Sequence, residues 1–462
     1  MRKLCVLMAL LVLILAGCGG PDVPETTPAA TTEPVPTVPV RQRYNEARER
    51  VEDASNLVLD YTLSSQRQIG ENVFPSRITG KASYSSYRWF NMLAIVEETL
   101  ELGAYSIDYA ETYCEGKANA VVRDGRFQQA MTPKEFTQRQ IPAILLTEEL
   151  YEKVESVEDG DVTRILFSQP VALESWAGDG ELISASGEAV LDGEGNLLES
   201  SYTARFRTEK VITELEIMVA VKTPKKLDLS AIHSSHDLPA IAISDLNAPR
   251  RLLQTVADVY NARQLDCQIR EYIDSEAIPM SYSRTTELSM LGHGEELQAQ
   301  VSYAVAMTDY RGKVTQRNQQ EQFADGVYTV TVGEEPPVTD DSVTATAMRQ
   351  YLEDTVLSGL FAMKYLQDAA VQEEDGLIRY TFTGNESFYA DLMKQLTAFL
   401  QVDLDAQAQS SQTGAVGSYL LVDPETELPV AMGVYLSRSH TIDTIRYKLD
   451  YSLEEKLSFG EE

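Results

Sequence analysis

Residues 51–60 read VEDASNLVLD and residues 256–266 read VADVYNARQLD. Both place Asp and Asn three apart, Asp53 with Asn56 and Asp258 with Asn261, and both close on Leu-Asp once one inserted residue is allowed. Self-similarity across so wide a separation marks a duplicated unit, and it decides how the rest of the chain is read. Apolar residues at Tyr44, Ala47, Val51 and Ala54, and at Leu252, Val256, Val259 and Tyr260, recur at helical spacing. Each copy therefore predicts a helix leading into a strand, over 59–65 and over 265–271.

The correspondence continues downstream. Glu158-Asp159-Gly160 precedes VTRILF, Glu374-Asp375-Gly376 precedes LIRYTF, and Arg164 matches Arg379 after one gap. A turn tripeptide before an apolar run predicts a strand in each copy. Hairpins follow in EAVLDGEGNLLESSYTARF, turning at 192–196, and in SYLLVDPETELPVAMGVYL, turning at 423–427. Each copy then closes on an alternating strand, with Leu215, Ile217, Val219 and Val221 in the first and Ile445, Tyr447, Leu449, Tyr451 and Leu453 in the second. Alternation leaves one face of a sheet wet and obliges the other to be covered. The covering material is helical in pattern, roughly 133–154 and 345–370. An extra amphipathic segment at 386–401 puts Phe388, Leu392, Leu396, Phe399 and Leu400 on one face, either as core or as the lining of a ligand cavity. The fold class expected is α+β: two tandem repeats, each an antiparallel sheet covered on one face by helices.

The amino terminus carries a different signal. Arg2 and Lys3 precede an apolar run of 13 residues, 4–16, too short for the roughly 20 needed to cross a bilayer core and of the right form for a secretory signal. Leu15-Ala16-Gly17-Cys18 resembles the lipobox of bacterial lipoproteins. That resemblance implies removal of 1–17 and lipidation of Cys18, leaving the chain outside the cell and anchored to the outer face of the cytoplasmic membrane. Residues 19–40 hold six prolines, five threonines and no basic residue, so 18–40 reads as lipidated cysteine and extended tether. With 39 basic against 71 acidic residues the net charge is −32, and it becomes more negative once Arg2 and Lys3 leave with the signal. No basic patch offsets it, which excludes nucleic acid as a partner.

The element order, helix, antiparallel strands, helix, more antiparallel strands, resembles the lipoprotein domains of the LolA and LppX type. The resemblance implies a curved half-barrel around helices in each repeat and a role in holding a lipid or other hydrophobic molecule. It assigns repeat 1 to 41–230, a linker to 231–247 and repeat 2 to 248–462.

Motifs for chemistry are scarce. P-loop, GxGxxG, HExxH and CxxC patterns are absent from the sequence, so no cofactor, no metal and no enzymatic activity are expected. His233-Ser234-Ser235-His236-Asp237 groups metal-capable side chains but reads as a polar linker, without an evident set of further ligands. Asp192, Glu194 and Asn196 alternate as in a calcium loop, yet Leu197 stands where that loop needs glycine and Thr203 where it needs glutamate. Cys114 and Cys267 are open to pairing or to burial as small apolar side chains, burial being favoured. Trp89 and Trp176, the only tryptophans, form no sugar-stacking platform in the sequence. The function expected is a membrane-anchored lipoprotein binding a hydrophobic ligand; the alternative is an interaction module of a cell-envelope complex.

Overall fold

The computed structural model describes residues 39–123, 125–139, 151–171, 181–236 and 238–460. The signal, Cys18, nearly all of the tether, Trp176 and Asp237 lie outside them. The first sheet collects β1 (Asn56–Ile69), β2 (Asn72–Ser85), β3 (Leu93–Leu102), β4 (Tyr105–Cys114), β5 (Lys117–Val122), β6 (Gly125–Ala130), β7 (Tyr151–Asp159), β8 (Val162–Pro170), β9 (Glu181–Leu191), β10 (Leu197–Arg207), β11 (Ile212–Lys222) and β12 (Ile241–Ala242). The second holds β13 (Gln264–Ser275), β14 (Met280–Leu291), β15 (Gln298–Thr308), β16 (Val314–Ala324), β17 (Val327–Val332), β18 (Val338–Asp340), β19 (Leu366–Glu374), β20 (Leu377–Gly384), β21 (Ser410–Val422), β22 (Pro429–Ile442) and β23 (Ile445–Ser458). Seven α-helices accompany them among the described residues: α1 (Val40–Glu52), α2 (Pro133–Gln138), α3 (Ile232–His236), α4 (Ala248–Asn261), α5 (Ala345–Val356), α6 (Glu386–Leu400) and α7 (Leu404–Gln407).

Strand order in the first sheet runs 6-5-4-3-2-1-11-10-9-8-7, with β12 added in parallel beside β6. The second runs 18-17-16-15-14-13-23-22-21-20-19. Adding twelve to each number of the first order reproduces the second. Each sheet is thus two antiparallel meanders joined where the first strand of the copy meets its last, β1 on β11 and β13 on β23.

The α+β expectation of sheets covered by helices is overturned. The molecule is mostly strand, in sheets of 12 and 11 strands, and the expected helices are cut short. Tyr151, Val154 and Val157 sit at helical spacing but lie in β7; Leu366, Ala369 and Ala370 do the same in β19. Both are edge strands with a single neighbour; β7 is exposed on both faces beyond Tyr151 and Val154, and a bulge between Leu366 and Asp368 puts Leu366 and Ala369 on one face of β19, so neither strand shows the alternation that one-sided burial imposes.

Caps explain where the surviving helices stand. Thr132 and Glu135 form a reciprocal capping box around Pro133 at the start of α2. Thr344 caps α5 and Asn385 caps α6, which ends at Gln401 in the left-handed region. Helix α1 lays Tyr44, Ala47 and Val51 on the first sheet, with the Tyr44 ring 5.1 Å edge-on to Phe167.

Helix α4 is buried on several sides, through Leu252, Leu253, Ala257 and Val259 on one hand and Arg251, Thr255 and Asp258 on the other. A helix enclosed in this way lies between layers rather than on one. Arg250 bonds Glu98 of β3 at 3.0 Å, Asn261 donates to the Leu102 carbonyl at 2.8 Å, and Arg251 donates to the Glu427 carbonyl at 2.5 Å. The helix that opens the second copy therefore joins both copies. The Asp and Asn pairs that betray the duplication do not occupy equivalent places: Asp53 is the exposed residue after α1, whereas Asp258 is buried inside α4.

Candidate functional site

The buried face of the first sheet is filled. Leu59, Ala82, Val96 and Tyr113 are fully buried on it. The Tyr61 ring lies over Gly80, where a Cβ would stand 2.4 Å from it, and its hydroxyl donates to Glu98 at 2.6 Å. Burial holds the Tyr61 hydroxyl protonated far above its ordinary range. Beside it the Tyr109 hydroxyl donates to Glu111, which also accepts from Arg139 at 2.8 Å.

The opposite face of that sheet bends around a cavity of about 1240 Å³. Strand register builds its floor in two lateral ranks. One runs Val121, Ala110, Glu97, Lys81, Asp60, Ala220, Glu199, Val190 and Arg164 across β5, β4, β3, β2, β1, β11, β10, β9 and β8. The other runs Asp108, Thr99, Thr79, Thr62, Met218, Ser201 and Glu188. At about 4.8 Å between strands, the longer rank spans roughly 38 Å of arc.

The trough has an uneven chemistry. Asp60, Glu97, Asp108, Glu188 and Glu199 line it against Lys81, Arg123 and Arg164. Lys222 holds Asp60 at 3.0 Å and Arg164 holds Glu188 at 2.5 Å, while Thr99 donates to Asp108 at 3.0 Å. Glu97 and Glu199 have no ion pair among the described residues. Ala110 and Val121 at one end, and Val190, Met218 and Ala220 toward the other, supply apolar surface, Met218 being 47% exposed. The ranks place hydroxyls and carboxylates between two apolar patches, an arrangement suited to a ligand with both kinds of surface.

None of the five residues on the face of α6 lines this trough. Phe388, Leu392, Leu396 and Leu400 are buried in the core. Phe388 packs 5.1 Å edge-on to Phe361, and the half-exposed Phe399 meets Tyr282 edge-on at 4.9 Å. The 192–196 stretch is a turn. The Asp192 carboxylate accepts from the backbone N–H of Glu194 and Asn196 at 2.9 and 2.8 Å and from the Asn196 amide at 3.0 Å. These bonds hold its carboxyl below the ordinary range. Cys114 and Cys267 are both buried and not joined to each other. Trp89 stands exposed beside Phe90 in the β2–β3 connection.

The histidine segment acquires neighbours that its sequence does not show. His233 Nδ1 lies 3.2 Å from Cys114 Sγ and 3.8 Å from Glu115 Oε1, and His236 Nε2 lies 3.0 Å from Thr112 Oγ1. Cys114 and Glu115 are 119 and 118 positions away along the chain, and no spacing rule connects them to 233–237. The trough also escaped the sequence reading, because its residues are the ordinary polar half of alternating strands until the register ranks them.

No protein-family model matches the chain, and no curated protein matches it. Among solved structures it is similar to an AttH protein of Nitrosomonas europaea at 9% identity, over 87% of this chain and 92% of that one, with a TM-score of 0.13. It is similar to a DUF1329 family protein of Desulfovibrio piger at 10% identity, over 46% of this chain and 91% of that one, with a TM-score of 0.16. Kievitone hydratase of Nectria haematococca aligns at 5% identity over 88% of this chain and 90% of that one, with a TM-score of 0.12. Likeness at that level defines no family and transfers no activity.

Proposed function

We propose that the chain is a membrane-tethered extracytoplasmic lipoprotein that binds an amphipathic ligand in the trough of the first sheet. The observation that supports this reading is the 1240 Å³ cavity whose two floor ranks and rim carry five carboxylates, three cations and a run of hydroxyls together with Met218, Val190 and Ala220, the sixth lining acid, Glu98, being bonded to Tyr61 on the buried face. A ligand that is hydrocarbon throughout would desolvate those charges with nothing in return. A ligand with an apolar body and an amine- or hydroxyl-bearing head would satisfy both parts of the floor. The excess of carboxylates favours a cationic or neutral head over an anionic one. The anchor at Cys18 and the tether to residue 40 rest on the sequence pattern alone, and no reaction is assigned to the site.

Native mass spectrometry of the chain purified from its own cells tests the proposal. The expected result is a discrete amphipathic adduct that Thr79→Trp weakens or abolishes while leaving the melting temperature within a few degrees, since Thr79 is exposed in the middle of the trough and an indole there obstructs its centre. A chain that carries no adduct and takes none up from a membrane extract sinks it. The interaction-module reading has one observation in its favour, the adjacent Trp89 and Phe90, 63% and 87% exposed, because paired exposed aromatics mark contact surfaces. Crosslinking lost on Trp89→Ala with Phe90→Ala would then support it.

A further inference from the structure

We propose that Cys114, Glu115 and His233 form a divalent transition-metal site, of zinc type, that pins the segment between the two copies to the first sheet. Their three donor atoms all lie within 4.8 Å of one another. The separations resolved are 3.2 Å from Cys114 Sγ to His233 Nδ1 and 3.8 Å from His233 Nδ1 to Glu115 Oε1. Ligands at 2.0 to 2.3 Å from a tetrahedral zinc stand roughly 3.3–3.8 Å apart. The cluster therefore needs only small side-chain adjustment to close on an ion.

The backbone explains why these groups meet. Strand β4 ends at Cys114, and the tight turn to β5 runs through Glu115 and Gly116, both at positive φ. The turn throws the Glu115 carboxylate outward at the strand's end. Helix α3 packs on β4 by its buried Ile232 and brings His233 and His236, three apart and so on one side, over Thr112 and Cys114, two apart on one face of β4. His236 Nε2 lies 3.0 Å from the Thr112 hydroxyl, which leaves it beside the cluster.

Donor type selects the metal. A thiolate, an imidazole and a carboxylate together suit zinc and neighbouring soft or borderline ions, and do not suit magnesium or calcium, which take oxygen shells. Cys114 is buried while Glu115 and His233 are exposed, so an ion can arrive from solvent and meet a thiol shielded behind it. Three protein ligands leave a fourth position for His236 or a water. Bound there, the ion would fix α3 to β4 within the covalent link from β11 to α4 between the copies.

The test uses the full chain, reduced and metal-stripped in detergent, with Zn²⁺ alone and Co²⁺ alone as probes. The expected result is one zinc per chain and a thiolate-to-cobalt charge-transfer absorption. Cys114→Ser should abolish that band and His233→Ala should weaken zinc binding at least about tenfold, while Cys267→Ser leaves both unchanged. His233 is half-exposed on a short helix, so its alanine variant keeps the fold, which its far-ultraviolet circular dichroism checks. Failure of the reduced chain to bind stoichiometric zinc, or equal binding by the wild type and His233→Ala, overturns the proposal.

Discussion

Glu455 is a single residue whose environment has a measurable consequence. It is fully buried on β23, accepting from the Ser358 hydroxyl at 3.1 Å and the Gly359 N–H at 2.9 Å, with its second oxygen lacking a hydrogen-bond partner among the described residues. Burial pushes its carboxyl up to about 8, against the pull of those donors and of Arg284. The folded chain thus retains a proton that the unfolded chain has lost above the ordinary carboxylate range. Stability contributed by this residue is present at low pH and falls as pH rises toward 8, with a slope of about 1.4 kcal/mol per pH unit if the group acts alone. Glu455→Gln keeps the acceptor and removes the charge. Its melting temperature is expected to exceed that of the wild type at pH 9 and to match it near pH 4; a constant difference across that range would refute the assignment.

At the scale of the element, α6 shows how amphipathicity reports burial without saying against what. Leu396 is 2% exposed and belongs to the continuous core. Leu396→Ala is expected to cost about 2–5 kcal/mol of stability, read by denaturant unfolding, and to leave intact the uptake proposed for the trough of the first sheet. Loss of uptake without loss of stability would return α6 to the list of ligand-lining elements. Hairpins repeat one device in both copies. Arg164 reaches back to Asp159 at 3.1 Å, and Arg379 reaches back to Glu374 at 3.1 Å, five residues earlier in each case. Asp375 and Gly376 both take positive φ in the second turn, the conformation a two-residue hairpin needs.

For the whole molecule the decisive contacts run between copies. Asn72, fully buried at the start of β2, donates to the carbonyls of Gln264 and Phe459 at 3.1 and 2.6 Å and accepts from the N–H groups of Arg263 and Gln264 at 2.7 and 2.9 Å. Its amide satisfies both ends of the second copy at once. Nearby, Arg67 of β1 and Arg251 of α4 flank the buried Asp258. Asn72→Ala strands two backbone donors and two acceptors at that seam, each costing about 1–3 kcal/mol. Calorimetry is expected to resolve two transitions in place of one cooperative unfolding; a single transition shifted by under 1 kcal/mol would show that the copies are coupled elsewhere.

The sequence alone determined the duplication, the turns through Gly160 and Gly376 and at 192–196 and 423–427, and the closing strands of each copy, because these depend on local chemistry: glycine and aspartate in turns, and alternation in strands with one wet face. It misjudged the balance of helix and strand, since β7 is exposed on both faces over most of its length and a bulge in β19 sets the buried Leu366 and Ala369 three apart, so that neither strand alternates. It placed Asp53 and Asp258 in correspondence, whereas packing put one in solvent and the other inside α4. Tertiary structure alone decided the two ranks of the trough and the meeting of Cys114 and Glu115 with His233. Both arise from strand register and chain crossing, which set distances between residues that no interval along the chain records.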